Sequence, residues 1–390
     1  MGIDDEAFAQ EERGWRDPGK WICRECVGEQ EFLRRLIQEN TSSSTCSYCQ
    51  SHSRRAAPLS ALMDALLRAV KYSFEDPTHA GHPWDSACPI DYQCSEEVFR
   101  AVLDSEALDL SDNLIADVAA SFVNTGWVEA AEGEWMGSHG HELYRWSWEA
   151  FTRTVKHQSR FHFHNVANVD RNCGDQFVSS SQIFGFLGDV FNANNMVKSI
   201  SVNTELLRVR RGNHGLTAQE AGPPPNAKAT SGRMNPAGIP YLYLAFDQRT
   251  ALAEARAVIA EDVTLSRWQS SRELQVLDLT HLPQCMSIFE GRDTKQDQVI
   301  FLSHFVADMR KPVGEDNLAE IEYVPTQLVC EYLAQVFSSE GKPLDGLIYP
   351  SALTTGKNLV LFPERGQRYS ASSLHRFGMV KFQSAEVIKV

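Results

Sequence analysis

The 390-residue sequence predicts an α+β protein: a mainly helical, zinc-binding N-terminal part and a C-terminal part of mixed strands and helices. Three patterns carry that expectation. Two Cys-x2-Cys pairs stand near the start, amphipathic helical stretches follow, and past about residue 196 period-two alternation sets in. The expected divisions are 1–55 for the four-cysteine segment, 56–195 for a helical domain and 196–390 for the mixed domain.

Cys23-x2-Cys26 is followed, nineteen residues on, by Cys46-x2-Cys49. Paired thiolates on two tight turns close a tetrahedron around Zn²⁺ and leave no open coordination position, so the expected role is structural. Four reduced thiols in a mobile arm are the bland alternative. Cys88, Cys94, His79 and His82 fit no standard spacing and are not assigned a metal. Nine cysteines spread over this length argue against a disulfide scaffold.

Between the cysteine pairs, Glu31 to Ile37 has helical spacing. Leu59, Leu62, Met63, Leu66, Leu67 and Val70 then mark a clean amphipathic helix. Glu96–Leu103, Leu114–Phe122 and Ile183–Phe191 read as further helices. Trp127, Trp135, Trp146 and Trp148 read as packing residues.

The stretch Leu206 to Arg256 concentrates the chemistry. In LLRVRRG, alternation places Leu206, Arg208 and Arg210 on one strand face. Arg208 is the candidate to point into a cleft, whereas Arg210 and Arg211 read as an exposed sheet face. Arg233 sits among turn formers, SGRMNPAG, and its planar guanidinium suits pyrophosphate oxygens. Tyr241 to Phe246 alternates as a strand, with Leu242, Leu244 and Phe246 on the core face and Tyr241, Tyr243 and Ala245 opposite. Asp247 reads as the N-cap of a helix running to Ala260, with Ala251, Ala255, Val258 and Ile259 as its apolar arc. Glu254 lies at the edge of that arc, where dehydrating a carboxylate is costly unless something uses it. Snorkelling, or pairing with an arginine, is the ordinary fate of such a residue.

Six short blocks in order resemble the RES family: Leu207 to Arg210, Gly232 to Pro236, Tyr241 to Ala245, Thr250 to Glu254, Tyr349 to Ala352 and Asn358 to Phe362. The match runs over roughly residues 202–390. The resemblance implies an ADP-ribosyltransferase-like split β-sheet and cleavage of NAD+ at the nicotinamide–ribose bond, by hydrolysis or phosphorolysis. It implies Arg208, Glu254 and Ser351 as catalytic residues and Arg233, Tyr243 and Asn358 as substrate-binding. It further implies an NAD+-depleting toxin, of use in anti-phage defence and held by a cognate antitoxin. The zinc-bearing start resembles, more loosely, the HEPN-type helical domain found before RES domains.

A formal charge of −14 argues against nucleic acid as the main partner, although residues 196–270 hold nine Lys/Arg against six Asp/Glu. That basic island suits a small anionic ligand. No apolar run reaches membrane-span length, and the acidic start lacks a secretory h-region, so a cytoplasmic location is expected, with room for a homo-oligomer. Three rivals remain at this level: an ADP-ribosyltransferase acting on a macromolecule, a HEPN-type RNase, and a non-catalytic NAD+-binding module. Arg160 to His164 and Arg153-x3-His157 each fall one residue short of the Arg-x4–6-His spacing such an RNase uses, and Arg171 has no histidine in reach.

In the C-terminal part, Gln275–Leu279, Gly346–Ser351, Leu359–Phe362 and Met379–Phe382 read as strands, and Arg292–Arg310 as a helix. Pro325-Thr326 suits the start of a further helix, with Leu328, Tyr332, Leu333, Val336 and Phe337 as its buried stripe.

Overall fold

A computed structural model describes residues 3–43, 45–49, 55–80, 92–131, 134–135, 137–166, 177–311, 319–366 and 374–390. His82, Cys88 and Arg171 lie outside the described residues. The chain is α+β and divides into two compact units, 1–142 with 285–297, and 143–284 with 298–390.

The first unit is built on the helix Ser60–Lys71, which buries Leu62, Met63, Leu66, Leu67 and Val70 as the spacing predicts. Helices Glu31–Glu39, Ser95–Ser105 and Asp112–Ser121 complete its helical layer. Phe99, Phe122 and Trp127 meet edge to face within the same core. One contributor is remote in sequence. Ile288 and Phe289 are buried in this core, Phe289 completely. Polar ties hold the segment around them: Gln30 Nε2 donates to Ser287 Oγ at 2.6 Å, Arg35 pairs with Glu290 at 3.0 Å, and Arg68 Nη1 donates to the Phe289 carbonyl at 3.1 Å.

The second unit centres on an eight-stranded sheet. Its strands are β1 (Val197–Ile200), β2 (Glu205–Arg211), β3 (Leu242–Ala245), β4 (Asp262–Ser270), β5 (Leu274–Asp278), β6 (Gly346–Pro350), β7 (Lys357–Leu361) and β8 (Val380–Lys389). The order across the sheet is β8-β4-β2-β3-β7-β6-β5-β1. Only β5 and β6 run parallel among these neighbours, and parallel strands need a long crossover. Helices Thr294–Arg310 and Val324–Gln335 lie within that crossover. Leu347, Tyr349 and Val360 of the sheet share a core with Phe301, Phe305, Val329 and Leu333 of these helices. Residues 143–195, grouped with the preceding helices in the sequence reading, also belong here: Trp148, Phe151, Leu187 and Phe191 enter the same core. The other sheet face packs Leu206, Leu242, Leu244, Trp268, Ile348 and Leu359.

Two expectations need correction. In the helix Val324–Gln335, Val329, Cys330, Leu333 and Ala334 are buried, but Leu328 and Tyr332 are only partly so. Val336 is 68% exposed, because the helix stops at Gln335, whereas Phe337, just past that end, is buried as expected. The strand expected over Met379–Phe382 runs from Val380 to Lys389, since β4 offers a full-length antiparallel partner.

The sheet is split where β2 meets β3. Their shared pair is Leu207↔Ala245, whereas β2 pairs with β4 along its whole length. Continued in register, Arg208 would next face Leu244 and Val209 would face Tyr243. Instead these four residues line a cavity.

Candidate active site

The cavity has a volume of about 330 Å³ and opens between the diverging strands. That size suits a small-molecule ligand. Arg208 and Val209 come from β2, Tyr243 and Leu244 from β3, Glu254 and Arg256 from the segment after β3, and Asn358 from β7.

Glu254 is placed by the short helix Gln248–Glu254. Asp247 caps it as expected, accepting from Thr250 N at 2.8 Å. The helix has seven residues, about two turns, rather than the predicted thirteen. Arg256 adopts φ 51°, a left-handed value that ends the helix, and Ala257 N donates back to the Leu252 carbonyl at 3.2 Å. Consequently Val258 and Ile259 are 54% and 91% exposed and form no apolar arc. Although Glu254 as a residue is exposed, one oxygen of its carboxylate is held inward. Ser351 Oγ donates to Oε1 at 2.7 Å, and Asn358 Nδ2 donates to the same oxygen at 2.7 Å. Asn358 reaches it because β7 pairs with β3, setting Asn358 beside Ala245.

Ser351 does not line the cavity; it is buried behind Glu254. Its Oγ accepts from Leu353 N at 3.1 Å and Thr354 N at 3.2 Å, which leaves its proton for Glu254. Ser351 is therefore geared to orient the carboxylate rather than to attack a substrate.

Arg208 is the electrostatic anomaly. Burial, reinforced by neighbouring Arg210, pushes its guanidinium down to about 9, so it stays charged at neutral pH. Nη1 is buried with no hydrogen-bond partner among the described residues. A buried cation without a counter-charge is costly, and an anion entering the cavity would relieve it. Arg210 is engaged elsewhere, donating to the carbonyls of Glu220 and Gly222 at 2.7 Å each. Arg211 pairs with Glu261 at 2.9 Å.

Residues 205–378 match the family model described as RES domain. The chain carries a RES domain. Residues 39–169 match a second family model, HEPN/RES N-terminal domain 1. Among solved structures, a chain of the M. tuberculosis MbcT–MbcA toxin–antitoxin complex is similar at 18% identity and TM-score 0.29, over 52% of this chain and 92% of that chain. No curated protein matches the sequence significantly.

Two further residues singled out in the sequence line the RES cavity but are partly committed. Tyr243 donates from its hydroxyl to Asn235 Oδ1 at 2.8 Å and accepts from Met234 N at 3.2 Å, which fixes the ring. Its burial pushes the phenol up, keeping it neutral. Arg233 Nη1 donates to the carbonyls of Met309 and Arg310 at 3.3 and 2.9 Å, at the C-terminal end of the helix Thr294–Arg310, where a cation is favoured. Sequence reading missed Tyr323 and Tyr349, which also line the cavity. Tyr349 opens the Tyr349 to Ala352 block that contains Ser351, but it was assigned no role in the site.

In the first unit, Cys23, Cys26, Cys46 and Cys49 bring their sulfurs within 4.8 Å of one another. Three of the separations are 3.7, 3.6 and 3.7 Å. Four sulfurs at about 2.3 Å from one Zn²⁺ in a tetrahedron stand about 3.75 Å apart, so the cluster has the dimensions of a closed zinc site. Burial, followed by the crowding of Cys46 and Cys23, raises the Cys26 thiol, a cost that a metal cation would remove. Arg153, His157, Arg160, His162 and His164 are exposed.

Proposed function

We propose that the RES domain cleaves NAD+ at the nicotinamide–ribose bond, by hydrolysis or phosphorolysis, and that the protein is an NAD+-depleting toxin. The supporting observation is the carboxylate of Glu254, clamped by Ser351 and Asn358, in the same cavity as the unpaired cation of Arg208. Arg208 takes the dinucleotide phosphates, with Arg233 as a lesser contributor. Tyr243 packs against the nicotinamide ribose. As the C–N bond breaks, its electron pair leaves with nicotinamide, and positive charge spreads over the ribose C1 and ring oxygen. The Glu254 carboxylate stabilises that charge and is held in place beforehand, so little reorganisation is needed. Water then gives ADP-ribose and a proton; phosphate gives the 1-phosphate ester of ADP-ribose. Ser351 and Asn358 hold the carboxylate.

The four cysteines hold a structural Zn²⁺ in this reading. A cognate antitoxin and a cytoplasmic location follow from the toxin reading; no helix among the described residues is long and apolar enough to cross a membrane. The test is to incubate the purified protein with NAD+, with and without phosphate, and to identify the products. Nicotinamide with ADP-ribose or its 1-phosphate supports the reading. Intact NAD+ overturns it, and label transferred to a macromolecule replaces it with an ADP-ribosyltransferase.

A further inference from the structure

Glu254 and Ser351 are 97 residues apart, and their hydrogen bond needs the helix and the loop after β6 to stay in register. Thr250 lies one turn before Glu254, and residues four apart share a helix face. It is 1% exposed. Its Oγ1 donates to Asp247 Oδ2 at 2.8 Å and meets Thr354 Oγ1 at 2.9 Å. Thr354 Oγ1 in turn accepts from Gly356 N at 3.0 Å. With Thr250 donating to the carboxylate, the ordered chain is Gly356 N–H to Thr354, Thr354 to Thr250, and Thr250 to Asp247. The same Thr354 supplies one of the backbone N–H groups that Ser351 accepts. The loop is thus pinned to the helix twice, once at each turn. The approach is close: a Cβ on Gly356 would fall 2.1 Å from Thr250 Oγ1 and 2.7 Å from Asp247 Oδ2.

We propose that Thr250 and Thr354 form a hydroxyl clasp of positioning residues that sets the Ser351–Glu254 geometry for the reaction. Neither hydroxyl touches substrate; each acts through the two residues behind the cavity wall. The inference rests on the NAD+-cleaving reading of this site.

The experiment compares Thr250→Val, Thr250→Ser, Thr354→Val and Thr354→Ser in the full chain, measuring kcat and KM for NAD+ and the melting temperature. Small displacements of a catalytic group cost rate rather than binding, so each valine should lower kcat roughly tenfold or more with KM within about twofold. Each serine, which keeps the hydroxyl, should restore most of the rate. Should Thr250→Val not fold, Thr354→Val, on the partly exposed loop, carries the test alone. Valine variants with wild-type kcat, a loss confined to KM, or serines no better than valines would overturn the clasp. A wild-type protein inert towards NAD+ would instead sink the underlying reading.

Discussion

Glu254→Gln is the sharpest perturbation of this site. Ser351 Oγ and Asn358 Nδ2 both donate to Oε1 at 2.7 Å, and a glutamine Oε1 can accept both. The substitution therefore removes charge while sparing the clamp. A unit charge about 4 Å from an oxocarbenium centre contributes about 4 kcal/mol at an effective dielectric near 20. Glu254 is partly open to water, so about 3 kcal/mol is a fairer figure after screening. At 1.36 kcal/mol per decade, kcat should fall roughly two orders of magnitude or more. KM should change less than kcat, because the positive charge sits on the nicotinamide ring in bound NAD+ and moves onto the ribose only as the bond breaks. The assay is nicotinamide release under saturating NAD+, with the melting temperature as fold control. A glutamine variant within fivefold of wild type, equally stable, would refute electrostatic catalysis by this carboxylate.

Other outcomes follow from the same geometry. Arg208→Met should raise KM for NAD+ by about 10- to 100-fold, the loss of a charge-assisted hydrogen bond of about 1.5–3 kcal/mol. Because the charged Arg208 buries Nη1 without a partner among the described residues, the same variant should melt no lower than wild type without ligand, and a melting temperature several degrees lower would contradict its being uncompensated. Cys23→Ser or Cys46→Ser should abolish binding of one Zn²⁺ per chain, read by elemental analysis, and lower the thermal stability of the first unit. Phe289→Ala should cost about 3–5 kcal/mol in urea unfolding, since the ring is fully buried in the core around Ser60–Lys71. A loss under 1 kcal/mol would mean that residues 285–297 do not belong to that core.

Local chemistry was legible wherever neighbours in sequence decide it. Asp247 with Thr250 three residues on marks a helix start, and the structure has that cap. The Cys-x2-Cys pairs announce their own cluster, and Leu62 to Val70 announce a buried helix face. The end of the glutamate helix was not legible. Val258 and Ile259 continue its period, but Arg256 turns left-handed, and both side chains go to solvent. Nor could periodicity show that Ile288 and Phe289 pack with helices more than 150 residues earlier, since apolar side chains do not encode which apolar surface they bury against.

From its own residues, the chain determined its α+β class, its cysteine cluster, most of its elements, and which residue types could bind a dinucleotide. Tertiary structure alone decided that β2 and β3 part after Leu207 and Ala245, opening a cavity where pairing would have continued. It also decided that Ser351 and Asn358 meet one oxygen of Glu254. Caps and periods are short-range and written in adjacent residues. Strand pairing and hydrogen bonds across 97 and 104 residues depend on where the whole sheet and its crossover come to rest.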